Sequence, residues 1–136
     1  QITGEDLEKA IGDRIQPGDT VILDSPHRIP PFTSLTGGPT DHRLQVGADC
    51  AQWLADHKVQ CVGFGDGVAI EGDVANVKPF HDILMAQNCT FLEVLQNLDQ
   101  LKSDTFFISY TPMPIIGLDS CPVRVYAIEG LPGFTR

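Results

Sequence analysis

The sequence predicts an α/β domain built on a partly parallel sheet. Two observations carry that expectation. Apolar, β-branched runs alternate along the chain with stretches of helical apolar spacing, the arrangement of βαβ units. The chain has 136 residues, 42% hydrophobic and 20% charged, enough to bury a core and too apolar for wholesale disorder. One domain over residues 1–136 is the expectation.

The elements follow in order. Thr3 stands where a helix cap belongs, with an acidic residue, Asp6, three positions on. Leu7, Ala10 and Ile11 then give the i, i+3, i+4 spacing of a short helix. Pro17-Gly18-Asp19 is a turn, and Thr20-Val21-Ile22-Leu23 a short strand. Pro26, Pro30, Pro31, Gly37, Gly38 and Pro39 share no regular element, so residues 24–43 form a long loop. Val46, Cys50, Trp53, Leu54 and His57 place an amphipathic helix at about 45–57. Val59 to Phe64 is a strand closed by Gly65-Asp66-Gly67. Residues 79–87 form a short helix with Pro79 in its first turn. A strand over 89–94, a helical turn over 95–101 and strands over 105–110 and 123–128 complete the chain.

Composition argues against several functions. With 9 basic and 18 acidic side chains the net charge is −9. That is the wrong sign for nucleic acid or an anionic membrane surface. No apolar run is long enough to span a bilayer, and the start, QITGEDLEKA, is unlike a signal peptide. Cys50, Cys61, Cys89 and Cys121 lack CxxC spacing and read as free thiols of a cytoplasmic protein.

Familiar catalytic motifs fail in detail. Gly63-Phe64-Gly65-Asp66-Gly67 follows a strand, but Val68 stands where a dinucleotide fingerprint needs its third glycine. There is no G-x-S-x-G elbow, and Ser120 reads as a turn residue. His57 reads as a solvated residue at a helix end, and His27 and His42 lie in the long loop. His81 is the most informative histidine. Glu93 follows it by 12 residues, on the next strand. Imidazole and carboxylate together are part of a ligand set for Zn²⁺ or Mn²⁺. On residue type alone, an ordinary surface His and Glu is the commoner explanation.

The order of four stretches resembles the cyclase family of metal-dependent hydrolases, which includes the bacterial kynurenine formamidases. Ile2 to Glu8, leading into Ile15-Gln16-Pro17-Gly18-Asp19-Thr20-Val21-Ile22-Leu23, looks like the family's helix and P-G-D-x-V strand. Ala51-Gln52-Trp53-Leu54 leading to Val59–Phe64 looks like its A-x-W-L unit. Phe80-His81-Asp82-Ile83-Leu84 through Leu92-Glu93 to Leu101 looks like its H-x-x-L-L…E-N-L segment. Ser120-Cys121-Pro122-Val123-Arg124 looks like its closing G-S-P-V-R strand. The resemblance implies a swivelling β/β/α fold, an oligomer and a divalent metal, zinc or manganese, held in part by His81 and Glu93. It implies hydrolysis of an amide, formamide or lactone by a metal-activated water.

The chain also departs from that pattern. The family motif H-x-G-T-H-x-D-x-P-x-H, which supplies most ligands, is absent, and the resemblance covers only the C-terminal portion of a family member. Val94 replaces the Asn that follows the ligand Glu, and where the family has an acidic residue and a serine after Gly63 this chain reads Phe64-Gly65-Asp66-Gly67-Val68, with Asp66 the candidate for a shifted equivalent. Two ligands fall short of the three that a catalytic zinc keeps. The expectation is therefore a hydrolase homologue that is inactive as this chain alone. The alternative is a non-catalytic oligomeric binding or assembly module. Self-association is expected in either case, with the loop at 24–43 as contact region.

Overall fold

A computed structural model describes residues 1–30, 33–71 and 74–132. Pro31 and Phe32 of the expected long loop lie outside the described residues. The chain divides into two compact units, Gln1–Leu98 and Asp99–Arg136.

The first unit is an α/β layer structure. Strands β1 (Thr20–Leu23), β3 (Cys61–Gly65) and β5 (Thr90–Leu95) form a parallel sheet in the order β1-β3-β5. All five residues of β3 are buried, as expected for the middle strand of a parallel sheet covered on its faces. Strands β2 (Leu44–Gln45) and β4 (Val68–Ala69) form a second, two-residue parallel pair. Neither was anticipated, because two residues carry no readable alternation.

Three helices pack against these strands. Helix α1 (Gly4–Ile11) starts at a capping box: the Asp6 amide donates to Thr3 Oγ1 at 3.1 Å and the Thr3 amide donates to Asp6 Oδ2 at 2.9 Å. Helix α2 (Ala48–Asp56) turns Cys50, Ala51, Leu54 and Ala55 inward. Gly4 lets α1 approach α2 closely, since a Cβ there would stand 3.0 Å from Trp53 Cβ. Helix α3 (Val74–Met85) begins five residues earlier than residue 79, where it was expected. Pro79 therefore sits inside the helix and not in its first turn. It removes one donor from the helix ladder, and the fully buried Phe80 and Leu84 that follow hold the helix against the core.

The core joins these layers. Phe64 of β3, Phe80 of α3 and Phe91 of β5 form a triangle with centroid separations of 5.7, 6.1 and 6.2 Å, near the range in which aromatic pairs attract. The glycines after β3 serve close packing. A Cβ on Gly67 would stand 2.3 Å from the Ser25 amide nitrogen and 2.4 Å from the Ser25 carbonyl oxygen. The Gly67 amide donates to Asp24 Oδ1 at 3.0 Å, and the Ser25 hydroxyl donates to the Gly67 carbonyl at 2.9 Å. This stretch is thus occupied by the chain's own loop after β1.

The second unit contains strands β6 (Phe107–Tyr110) and β7 (Val125–Ile128), paired antiparallel with Phe107 opposite Ile128 and Tyr110 opposite Val125. None of its described residues is buried. The helical turn expected within 95–101 is a 3₁₀ turn over Leu98–Gln100. No helix of the described residues is long and apolar enough to cross a membrane.

Candidate metal centre

Helix α3 and strand β5 bring His81 and Glu93 together. His81 Nε2 lies 3.9 Å from Glu93 Oε1. The helix–turn–strand return that 12 intervening positions require is what the fold provides. Phe80, the neighbour of His81, is the residue that fixes this part of α3 in the core. His81 itself rests at the rim, its ring centroid 4.7 Å from that of Phe91. Phe91 and Glu93 are two apart on a strand and so share the face that looks toward α3.

The imidazole is held in one sense. His81 Nδ1 lies 2.9 Å from the Val77 carbonyl oxygen, which can only accept, so Nδ1 carries a proton and donates it. In the neutral ring the lone pair is then on Nε2, the nitrogen turned toward Glu93. A backbone carbonyl fixing one imidazole nitrogen while the other binds metal is a recurrent arrangement. The carboxylate of Glu93, facing Nε2, raises the His81 pKa above its ordinary 6.5; partial burial opposes this, and the Val77 carbonyl adds to it. At 3.9 Å the carboxylate acts across the gap as a charge rather than as a hydrogen-bond acceptor.

The pair suits part of a metal site. A tetrahedral ion with bonds of about 2.0–2.2 Å spaces two donors about 3.4 Å apart, so a closure of about 0.5 Å would bring both into reach. Glu93 is half exposed, at 51%, and a solvent-facing side chain has rotamer freedom for such an adjustment. The set stops at two. Among the described residues no group of three or more His, Cys, Asp or Glu side chains converges. Asp82, next to His81, is engaged by Lys78.

The other sequence candidates lie elsewhere. His27 and His42 meet edge to face at 6.3 Å, both exposed. His57 is not simply solvated at a helix end: it stacks on Trp53 at 3.8 Å, and its Nδ1 lies 2.8 Å from the Trp53 carbonyl oxygen. Ser120 is exposed, with its hydroxyl 3.4 Å from Asp119 Oδ1. Asp66 Oδ1 is buried and has no hydrogen-bond partner among the described residues.

Sequence reasoning missed one cluster. Arg43 is buried, with 1% of its side chain exposed. Its Nε and Nη2 donate to Asp41 Oδ1 and Oδ2 at 2.9 and 2.7 Å, and its Nη1 donates to Glu71 Oε1 at 2.9 Å. Asp41 and Glu71 border a cavity of about 380 Å³ that Asn76 and Val77 also line. The short spacing of Asp41 and Arg43 was the available signal, and it lay inside a stretch read only as loop.

Comparison with known proteins bears on the fold. A solved structure described as a potential metal-dependent hydrolase with cyclase activity matches this chain with a TM-score of 0.67 and 24% identity. The match covers 93% of this chain and 57% of that one. It shows that this chain shares the fold of that structure over the matched region. The chain spans less than two thirds of that structure's length. No protein-family model matches the sequence. No curated protein matches it either.

Proposed function

We propose that this chain is a metal-dependent, cyclase-like hydrolase homologue with a swivelling β/β/α fold, in which His81 and Glu93 are two ligands of a divalent ion. One observation carries the reading: an Nδ1-anchored imidazole turns its free nitrogen toward a carboxylate 3.9 Å away. The described solved structure, itself called metal-dependent, is consistent with it. When bound, the metal would lower the pKa of a water and polarise a carbonyl of an amide, formamide or lactone. The chain's own residues would hold and orient it. Two protein ligands are one short of a catalytic zinc site, so this polypeptide alone is proposed to be inactive.

We also propose self-association. Ile116 is fully exposed at 101%, and Leu118, Tyr126 and Met113 each expose more than half of their surface. Contiguous exposed apolar side chains of this kind mark contact surfaces. Most of the exposed large apolar side chains belong to the second unit, whereas the described part of the loop at 24–43 contributes only Leu35, so the second unit is the better contact region. The non-catalytic assembly reading gains support from the same exposed residues.

The test uses Co²⁺ as a spectroscopic probe with the purified chain. The proposal expects weak binding, lost in His81→Ala and in Glu93→Gln, and no hydrolysis of formamide or lactone substrates above background. Stoichiometric metal that survives both substitutions would overturn it.

A further inference from the structure

The loop before β2 is held on both sides of Thr33–Thr40. The Ile29 amide donates to the Asp66 carbonyl at 3.3 Å, and the buried Arg43 grips Asp41. Between these anchors no residue from Thr33 to Thr40 is buried. The backbone hydrogen bonds of the stretch stay within the loop. The Thr36 amide donates to the Thr33 carbonyl, the Gly38 amide to the Leu35 carbonyl and the Asp41 amide to the Gly38 carbonyl, at 3.0–3.1 Å. The Gly37 amide donates to Asp41 Oδ2 at 2.9 Å. Among the described residues, one hydrogen bond ties Thr33–Thr40 to a residue outside the loop: Thr36 Oγ1 donates to Glu71 Oε1 at 3.3 Å. The Glu71 carboxylate is itself fixed. Its Oε1 also accepts from Arg43 Nη1 at 2.9 Å, and its Oε2 accepts from the Ile70 amide at 3.1 Å.

The same stretch walls the cavity of about 380 Å³. Gly37 and Gly38 line it together with Val46, Ala69 and Val77, which belong to or follow β2, β4 and α3. The two glycines are not packed from outside the loop. A Cβ built on Gly37 would meet nothing within 4 Å, and one on Gly38 would meet only the Leu35 carbonyl group. A segment with no buried residue and one external bond lies at the low end of local stability and opens without the core. Segments that cover binding cavities and move to admit a ligand are of this kind.

We propose that Thr33–Thr40 is a lid over this cavity, latched shut by Thr36 on Glu71. The lid involves neither His81 nor Glu93, so it stands apart from the metal reading.

Two measurements on the full chain test it. Amide exchange followed by NMR reads the motion. The Gly37, Gly38 and Asp41 amides exchange through an opening that dilute urea does not accelerate, whereas the Val62 and Phe64 amides exchange only with global unfolding. Thr36→Val removes the latch hydroxyl and speeds exchange of the three lid amides by about tenfold, the scale of one hydrogen bond to a charged group. Labelling of a Val46→Cys variant with iodoacetamide reads access to the cavity. Val46 lines the cavity and is fully buried. Cys50 is equally buried, in the core on α2, and serves as the internal control. The introduced thiol reacts faster than Cys50, at a rate that dilute urea leaves unchanged, and adding Thr36→Val speeds it by about tenfold. Lid amides that exchange only as slowly as those of Val62 and Phe64 would overturn the proposal. So would an introduced thiol that reacts no faster than Cys50, or a Thr36→Val substitution that alters neither readout.

Discussion

His81 on α3 and Glu93 on β5 face each other across 3.9 Å, with the far side of the imidazole fixed by the Val77 carbonyl. The carboxylate favours the charged ring, so His81 titrates above 6.5. A raised histidine stabilises the fold fully below its unfolded value of 6.5, and that contribution is lost as pH rises through the folded value. Glu93→Gln is expected to move the His81 titration downward in a proton NMR pH series. It is also expected to flatten the pH dependence of stability just above pH 6.5, where the raised histidine otherwise loses its contribution. An unchanged titration would show that Glu93 does not act on this ring.

The Arg43 cluster predicts a large mutational cost. Asp41 and Glu71 expose only 7% and 12% of their side chains. Arg43→Met leaves both carboxylates buried and unmatched, at a cost of about 3–5 kcal/mol. Urea unfolding of the two proteins at pH 7 measures the difference. A loss below about 1 kcal/mol, the level of a surface pair, would contradict the burial argument.

Acid should expose the same cluster. The Arg43 guanidinium, through its hydrogen bonds, holds the Asp41 carboxyl well below its ordinary 3.8. A depressed carboxylate contributes stability that is fully present above the unfolded value and lost as pH falls toward the folded one. Thermal melts are therefore expected to lose stability below about pH 4 in the wild type. Asp41→Asn, already weaker at pH 7, should lose less over that range.

Gly67 predicts a site where one methyl is too many. Its added Cβ would meet backbone atoms of Ser25 at 2.3 and 2.4 Å, which cannot rotate away. Gly67→Ala should destabilise by about 1–3 kcal/mol, the range for overpacking. Gel-filtration elution should stay unchanged. A neutral result would mean that the loop after β1 moves aside freely.

Thiol chemistry separates the four cysteines. Burial pushes Cys50 up to about 12 and Cys89 up to about 11, and Cys61 is fully buried. Cys121 is partly exposed. A disulfide reagent at pH 8 should titrate one fast thiol in the native protein, absent in Cys121→Ser, and four after denaturation. Two or more fast thiols in the native state would contradict the packing around Cys50 and Cys89.

Much of the first unit was legible because its signals are local or continuous. Thr3 and Asp6 announce the α1 cap, and the unbroken apolar run through Phe64 announces a central parallel strand. The β2–β4 pair was not legible, since two residues have no period and their pairing spans the chain from Leu44 to Val68. Pro79 misled, because tertiary packing of Phe80 and Leu84 keeps a helix running through it. His81 and Glu93 could be named from motif order but not from spacing. Their meeting depends on a helix–turn–strand return, and Val94 beside them adopts a backbone that its side chain argues against.

The most direct test of the central claim is Co²⁺ titration of the purified chain, followed by visible absorption. The account predicts a weak, saturable signal that disappears in both His81→Ala and Glu93→Gln. A signal unchanged by either substitution would place the metal elsewhere and contradict the assignment of these two residues as its ligands.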